Sequence, residues 1–112
     1  MNYKIRSKIW IEVNGEIMLG EGRVRLLKAI KETGSLSKAA KKLKMSYKKA
    51  WGLIDTVNSI ANKPVVIKNI GGKSGGGTIL TEYGESLIKT FDKINESCWK
   101  HLEKEIKTSG LQ

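Results

Sequence analysis

Between residues 37 and 58 the chain reads SKAAKKLKMSYKKAWGLIDTVN, and this stretch constrains the fold more than any other. Two apolar patterns of helical period lie back to back in it. The first is Ala39, Ala40 and Leu43; the second is Ala50, Leu53, Ile54 and Val57; only Lys44 and Met45 separate the two helices. Ser37 is placed to N-cap the first helix and Ser46 the second, each with a side-chain oxygen that accepts from a backbone N–H at the helix start. Two helices joined this tightly must cross steeply, and the paired alanines let their backbones approach. That is the spacing of a helix-turn-helix, in which the second helix enters the DNA major groove by its N-terminal end.

Turning Ala50, Leu53, Ile54 and Val57 inward, at about 100° per residue, points Lys48, Gly52 and Asp55 away from the core with Lys49 and Trp51 at the flanks. The candidate recognition residues are therefore Ser46, Tyr47, Lys48, Lys49, Trp51 and Gly52. Lys48 is suited to donate to guanine O6 or N7, the Gly52 backbone to approach closely, and Trp51 to pack on a sugar or a thymine methyl. Ser37, Lys38, Lys41 and Lys42 lie on the supporting helix, which crosses the DNA backbone, so they are expected to meet phosphate. The plainer alternative makes Lys48 and Lys49 solvated charges and Trp51 helix-packing filler.

Charge agrees with the first reading. Lys and Arg number 21 against 11 acids, a formal +10, which favours a polyanion or an anionic membrane surface. The excess is local: from Ser35 to Thr81 there are nine lysines and one acid, Asp55, whereas from Glu82 to Lys107 six acids face five lysines. The middle of the chain is built for the polyanion and the end for something else.

The flanks supply the remaining elements. Lys8 to Leu19 alternates Ile9, Ile11 and Val13 with Trp10 and Glu12 around Asn14-Gly15, a hairpin with a type I′ turn. Glu21 to Thr33 reads as a helix stopped by Gly34. Residues 65–81 read as a second hairpin: β-branched Val65-Val66-Ile67, a loop of five glycines among seven residues, then Thr78-Ile79-Leu80. Lys73, Ser74 and Gly75 at its tip are candidate contacts to phosphate or the minor groove, the tip being otherwise only a flexible turn. Gly72-Lys73-Ser74 echoes the end of a nucleotide-binding P-loop, but Ile67 stands where that motif needs glycine, and a strand follows instead of a helix. Thr81 is placed to cap a final helix over 82–107.

At 1.5 Å per residue that helix is ~39 Å long, more than a domain of this size covers. Its Phe91, Ile94, Trp99, Leu102 and Ile106 are expected to form a two-fold dimer interface, since each is worth roughly 1.5–3 kcal/mol when withdrawn from water. The expected architecture is a single α+β domain over 1–112: a winged helix-turn-helix with an N-terminal β-hairpin and a long C-terminal dimerisation helix.

Other chemistries find little purchase. Cys98 and His101 form a C-x-x-H, but no further cysteine or histidine exists, so no metal and no cofactor is expected. No nucleophile has a paired base, so the chain is read as not an enzyme. A lone cysteine suits a reducing compartment, and no apolar run approaches the ~18 residues of a membrane span, so the expected localisation is cytoplasmic.

From about Gly20 to Leu87 the sequence resembles the N-terminal domain of the ModE-type, molybdate-responsive transcriptional regulators, related to the winged helices of LysR-type regulators. The resemblance rests on Gly22-Arg23, Leu26-Leu27-Lys28-Ala29-Ile30, Gly34-Ser35-Leu36-Ser37-Lys38-Ala39-Ala40, Met45-Ser46-Tyr47-Lys48-Lys49-Ala50-Trp51, the glycine loop and Leu80-Thr81-Glu82-Tyr83-Gly84. It implies a dimeric regulator on a palindromic operator, with a recognition helix starting at Ser46 and a wing around Lys73. Full-length members carry C-terminal oxyanion-binding domains, and this chain stops at Gln112, so an oxyanion effector (molybdate or tungstate) is not carried over. Two rivals remain: an architectural chromatin protein with little sequence preference, and a protein-interaction module using the C-terminal helix.

Overall fold

In the computed structural model, residues 2–68 and 77–111 are described. The chain is mixed α+β. Strands β1 (Trp10–Val13) and β2 (Glu16–Gly20) pair antiparallel, with a register irregularity between Ile11 and Glu12. Asn14 and Gly15 take φ of 52° and 83°, the two positive angles a type I′ turn demands. β2 buries Met18 and Leu19 and passes directly into α1 (Glu21–Thr33). That helix is the hub of the core, contributing Val24, Leu26, Leu27, Ala29 and Ile30. It ends where Gly34 turns left-handed, at φ 67°, and bonds back to the Ile30 carbonyl at 2.7 Å.

Helix α2 (Leu36–Lys42) begins earlier than its sequence suggests. Ser35, not Ser37, is the N-cap, its hydroxyl accepting from the Lys38 N–H at 3.1 Å. The cause is the preceding turn: once Gly34 has reversed the chain, Thr33 Oγ1 accepts from the Ser35 N–H at 3.3 Å and donates to the Ser35 carbonyl at 3.0 Å, which settles Ser35 at the boundary. Leu36 is thereby drawn inward beside Ala39 and Ala40, and Ser37 is left exposed on the first turn. Helix α3 (Tyr47–Ile60) starts as expected, with Ser46 Oγ accepting from the Lys49 N–H at 3.0 Å.

Strands β3 (Val66–Lys68) and β4 (Thr78–Leu80) pair with Ile67 opposite Ile79. Three sets of bonds pin this second hairpin to the helices. The Thr78 N–H donates to the Gly34 carbonyl at 3.0 Å, and Thr78 Oγ1 accepts from the Leu36 N–H at 3.3 Å. From α3, Asn58 Oδ1 accepts from the N–H groups of Val65 and Val66 at 2.8 and 3.1 Å, while its Nδ2 donates to the Val66 carbonyl at 2.9 Å. Thr81 then caps α4 (Glu82–Thr108) by accepting from the Gly84 N–H at 3.0 Å, and its own hydroxyl donates to the Pro64 carbonyl at 2.7 Å. Glycine is required at 84, because a Cβ there would stand 2.6 Å from the Val65 carbonyl oxygen.

Only the first third of α4 packs into the core, through Gly84, Ile88 and Phe91. Lys28–Asp92 (2.8 Å) and Lys31–Glu85 (2.7 Å) tie that part to α1. The rest projects, so the molecule measures 62 × 29 × 21 Å with a radius of gyration of 17.1 Å. A compact chain of this length would have about 13 Å.

Candidate nucleic-acid interface

Helix α3 divides as its periodicity requires. Ala50, Ile54 and Val57 are buried and Leu53 is half-buried; Lys48, Lys49, Gly52 and Asp55 are exposed. Tyr47 and Trp51 share one side of the helix, four residues apart, and are 50% and 40% exposed. That much aromatic surface left in water next to two lysines is what a ligand-contacting face looks like, and no described ion pair uses Lys38, Lys41, Lys48 or Lys49. The first turn adds backbone N–H groups and the positive end of the helix dipole, which favour an anion there. The Ser46 oxygen is occupied in capping Lys49, but its hydroxyl hydrogen is free of that bond and can serve an outside acceptor.

On α2, Lys38 and Lys41 are exposed beside the cap. Lys42 differs: its ammonium lies 2.5 Å from Glu32 Oε2 at the end of α1, so its charge is already partly answered within the chain. Lys73, Ser74 and Gly75 lie outside the described residues.

One residue that sequence reasoning passed over stands at the centre of this surface. Lys68, the last residue of β3, places its ammonium 4.5 Å from the centroid of the Trp51 ring and 5.5 Å from that of Tyr47, and donates to the Tyr47 hydroxyl at 3.1 Å. The signal for it was the two-residue period of the strand. Val66 and Lys68 share a face, and Asn58 holds Val66 against α3, so Lys68 follows it toward the helix.

The expected dimerisation residues separate into two sets. Phe91 is 2% exposed and belongs to the chain's own core beneath α1, whereas Ile94 and Trp99 are 49% and 48% exposed. Leu102 and Ile106 are half-buried, with Ile5 of the N-terminal segment beside Ile106 and Ser7 Oγ 3.7 Å from Cys98 Sγ. Phe91 was misjudged because a helical stripe does not say which of its turns the rest of the fold reaches. A groove between α1 and α4 runs from Val24 and Phe91 out to Trp99.

Among the described residues no helix is long and apolar enough to cross a membrane, and no cluster of histidine, cysteine, aspartate and glutamate could hold a metal.

The sequence is 41% identical over 87 residues to the transcriptional regulator ModE of Haemophilus influenzae, an alignment covering 78% of this chain and 34% of that protein. It is 47% identical over 73 residues to the molybdenum transport protein ModE of Azotobacter vinelandii, covering 65% and 27%. Over 72 residues it is 44% identical to the DNA-binding transcriptional dual regulator ModE of Escherichia coli K12, covering 64% and 28%. The chain thus spans about a third of the length of these relatives. A family model described as a RimK-like ATP-grasp domain also matches, over residues 23–109. The two likenesses disagree about the same residues. The described part of 23–109 is four helices and one two-stranded hairpin, without the carboxylate cluster that would hold a nucleotide's magnesium. The named relatives, at 41–47% identity, support a ModE-type family instead.

Proposed function

We propose, on the support these relatives give to a ModE-type family, that the chain is a sequence-specific DNA-binding transcriptional regulator of winged helix-turn-helix type, with no chemistry of its own. Helices α2 and α3 are the helix-turn-helix and the β3–β4 hairpin is the wing. The observation that carries the reading is the N-terminal half of α3, whose outward side is basic and aromatic while its inward side is closed by the core. In this reading Lys48 and Gly52 face base edges, Tyr47, Lys49 and Trp51 flank them, and Ser46 donates to phosphate at the groove edge. Ser37, Lys38 and Lys41 on α2 meet phosphate, Lys42 does so less because Glu32 shares its charge, and Lys73, Ser74 and Gly75 reach the neighbouring minor groove.

The regulator acts as a dimer. Ile94, Trp99, Leu102 and Ile106 meet a second copy, with Phe91 shaping the floor of the groove into which that copy settles. Two-fold symmetry then sets two α3 helices in successive major grooves about 34 Å apart, which calls for an inverted repeat in the operator.

Selection from a random DNA duplex library tests the whole reading. Enrichment of an inverted repeat supports it. Retention of DNA without enrichment makes the protein architectural, and no retention at all leaves the α4 surface as its working part.

A further inference from the structure

We propose that Lys68, held over Trp51 and Tyr47, is a binding site for one DNA backbone phosphate, the one that separates the groove read by α3 from the groove met by the β3–β4 hairpin. The inference rests on the DNA-binding reading above and adds to it a residue and a ligand group. A body that sends a helix into a major groove and a hairpin into the adjacent minor groove must straddle the sugar-phosphate strand between them. Lys68 sits at that seam, on the hairpin yet touching the helix.

Its partners leave it able to bind. Of its three N–H groups one is given to the Tyr47 hydroxyl at 3.1 Å, and the Trp51 face, 4.5 Å from the ammonium, holds the charge without neutralising it. No carboxylate among the described residues pairs with it. Two donors are therefore left for a phosphate oxygen, on a side chain already positioned, which lowers the ordering cost a free surface lysine would meet on binding. The same contacts set the Tyr47 and Trp51 rings, so Lys68 is also a positioning residue for the recognition helix.

The test compares wild type with Lys68→Gln and Lys68→Arg on the selected duplex across a salt series, and on duplexes with single methylphosphonate replacements. Lys68→Gln should lower the magnitude of the slope of log affinity against log salt by about 0.9, the value of one phosphate contact. Neutralising one particular phosphate per half-site should weaken the wild type and Lys68→Arg but leave Lys68→Gln unaffected. Because the side chain is exposed, thermal unfolding of Lys68→Gln should match wild type. A slope unchanged in Lys68→Gln, or the same methylphosphonate profile in both proteins, overturns the proposal while the DNA-binding reading stands. Failure of the wild type to bind any duplex in a salt-dependent way overturns that reading itself.

Discussion

Asn58 shows how much one side chain holds in this molecule. It makes three hydrogen bonds from α3 to the start of β3, answering two N–H groups and one carbonyl that would otherwise have no partner on that side. Asn58→Ala strips all three and leaves part-buried backbone groups unsatisfied, at roughly 1–3 kcal/mol. We expect a correspondingly lower urea midpoint, together with weaker DNA binding, since the hairpin would lose its fixed place beside Lys68. Gly84 is a residue of the opposite kind, defined by what cannot be added. Gly84→Ala would push a methyl against the Val65 carbonyl, and overpacking of this sort costs about 1–3 kcal/mol. At the interface, Lys48→Ala should relax sequence preference whereas Lys73→Ala should weaken all sequences evenly. Affinities measured on operator and scrambled duplexes distinguish these, and equal losses from both would remove the assignment of Lys48 to base edges.

The elements are set by their caps. Ser35 and Ser46 each accept a backbone N–H three residues on, and Ser37 does not. Ser35→Ala and Ser46→Ala should each lower stability by about 1 kcal/mol, and Ser37→Ala by much less. Chemical denaturation of the three variants decides which serine starts α2. The α1–α4 junction carries a pH signature. Hydrogen bonding and attraction from Lys31 hold the Glu85 carboxyl below its ordinary range. A carboxyl with a depressed folded value adds stability that is present above its unfolded value and lost as pH falls through the folded one. Glu85→Gln should therefore lower stability at neutral pH and lose that difference in acid, and the effect should be small because the pair is exposed to water.

At the scale of the molecule, α4 outruns the body that bears it. Ile94 and Trp99 stand half in water on the projecting part of a helix about 40 Å long. Sedimentation at micromolar concentration should give a particle near twice 12.5 kDa, and Trp99→Asp should move it toward the monomer with loss of operator affinity. A stable monomer that binds a single half-site at full affinity would refute the two-fold reading. The +10 charge makes binding steeply salt-dependent, with five to eight phosphate contacts in all, roughly, each steepening the slope by about 0.9.

Periodicity and turn chemistry are local, and what depends on them was legible in the residues themselves: the Asn14-Gly15 turn, the Gly34 stop, the start of α3 at Ser46, and the inward and outward faces of that helix. The cap of α2 was not, because Ser35 and Ser37 are equivalent as residue types and the Thr33–Gly34 turn chose between them. Nor was the burial of Phe91, since a stripe of constant apolar character along α4 meets α1 for only its first turns. Lys68 was one lysine among nine in the basic segment until the hairpin folded back and set it on Trp51 and Tyr47. Contacts between residues 17 and 21 positions apart depend on where the chain returns, and only the packed structure decides that.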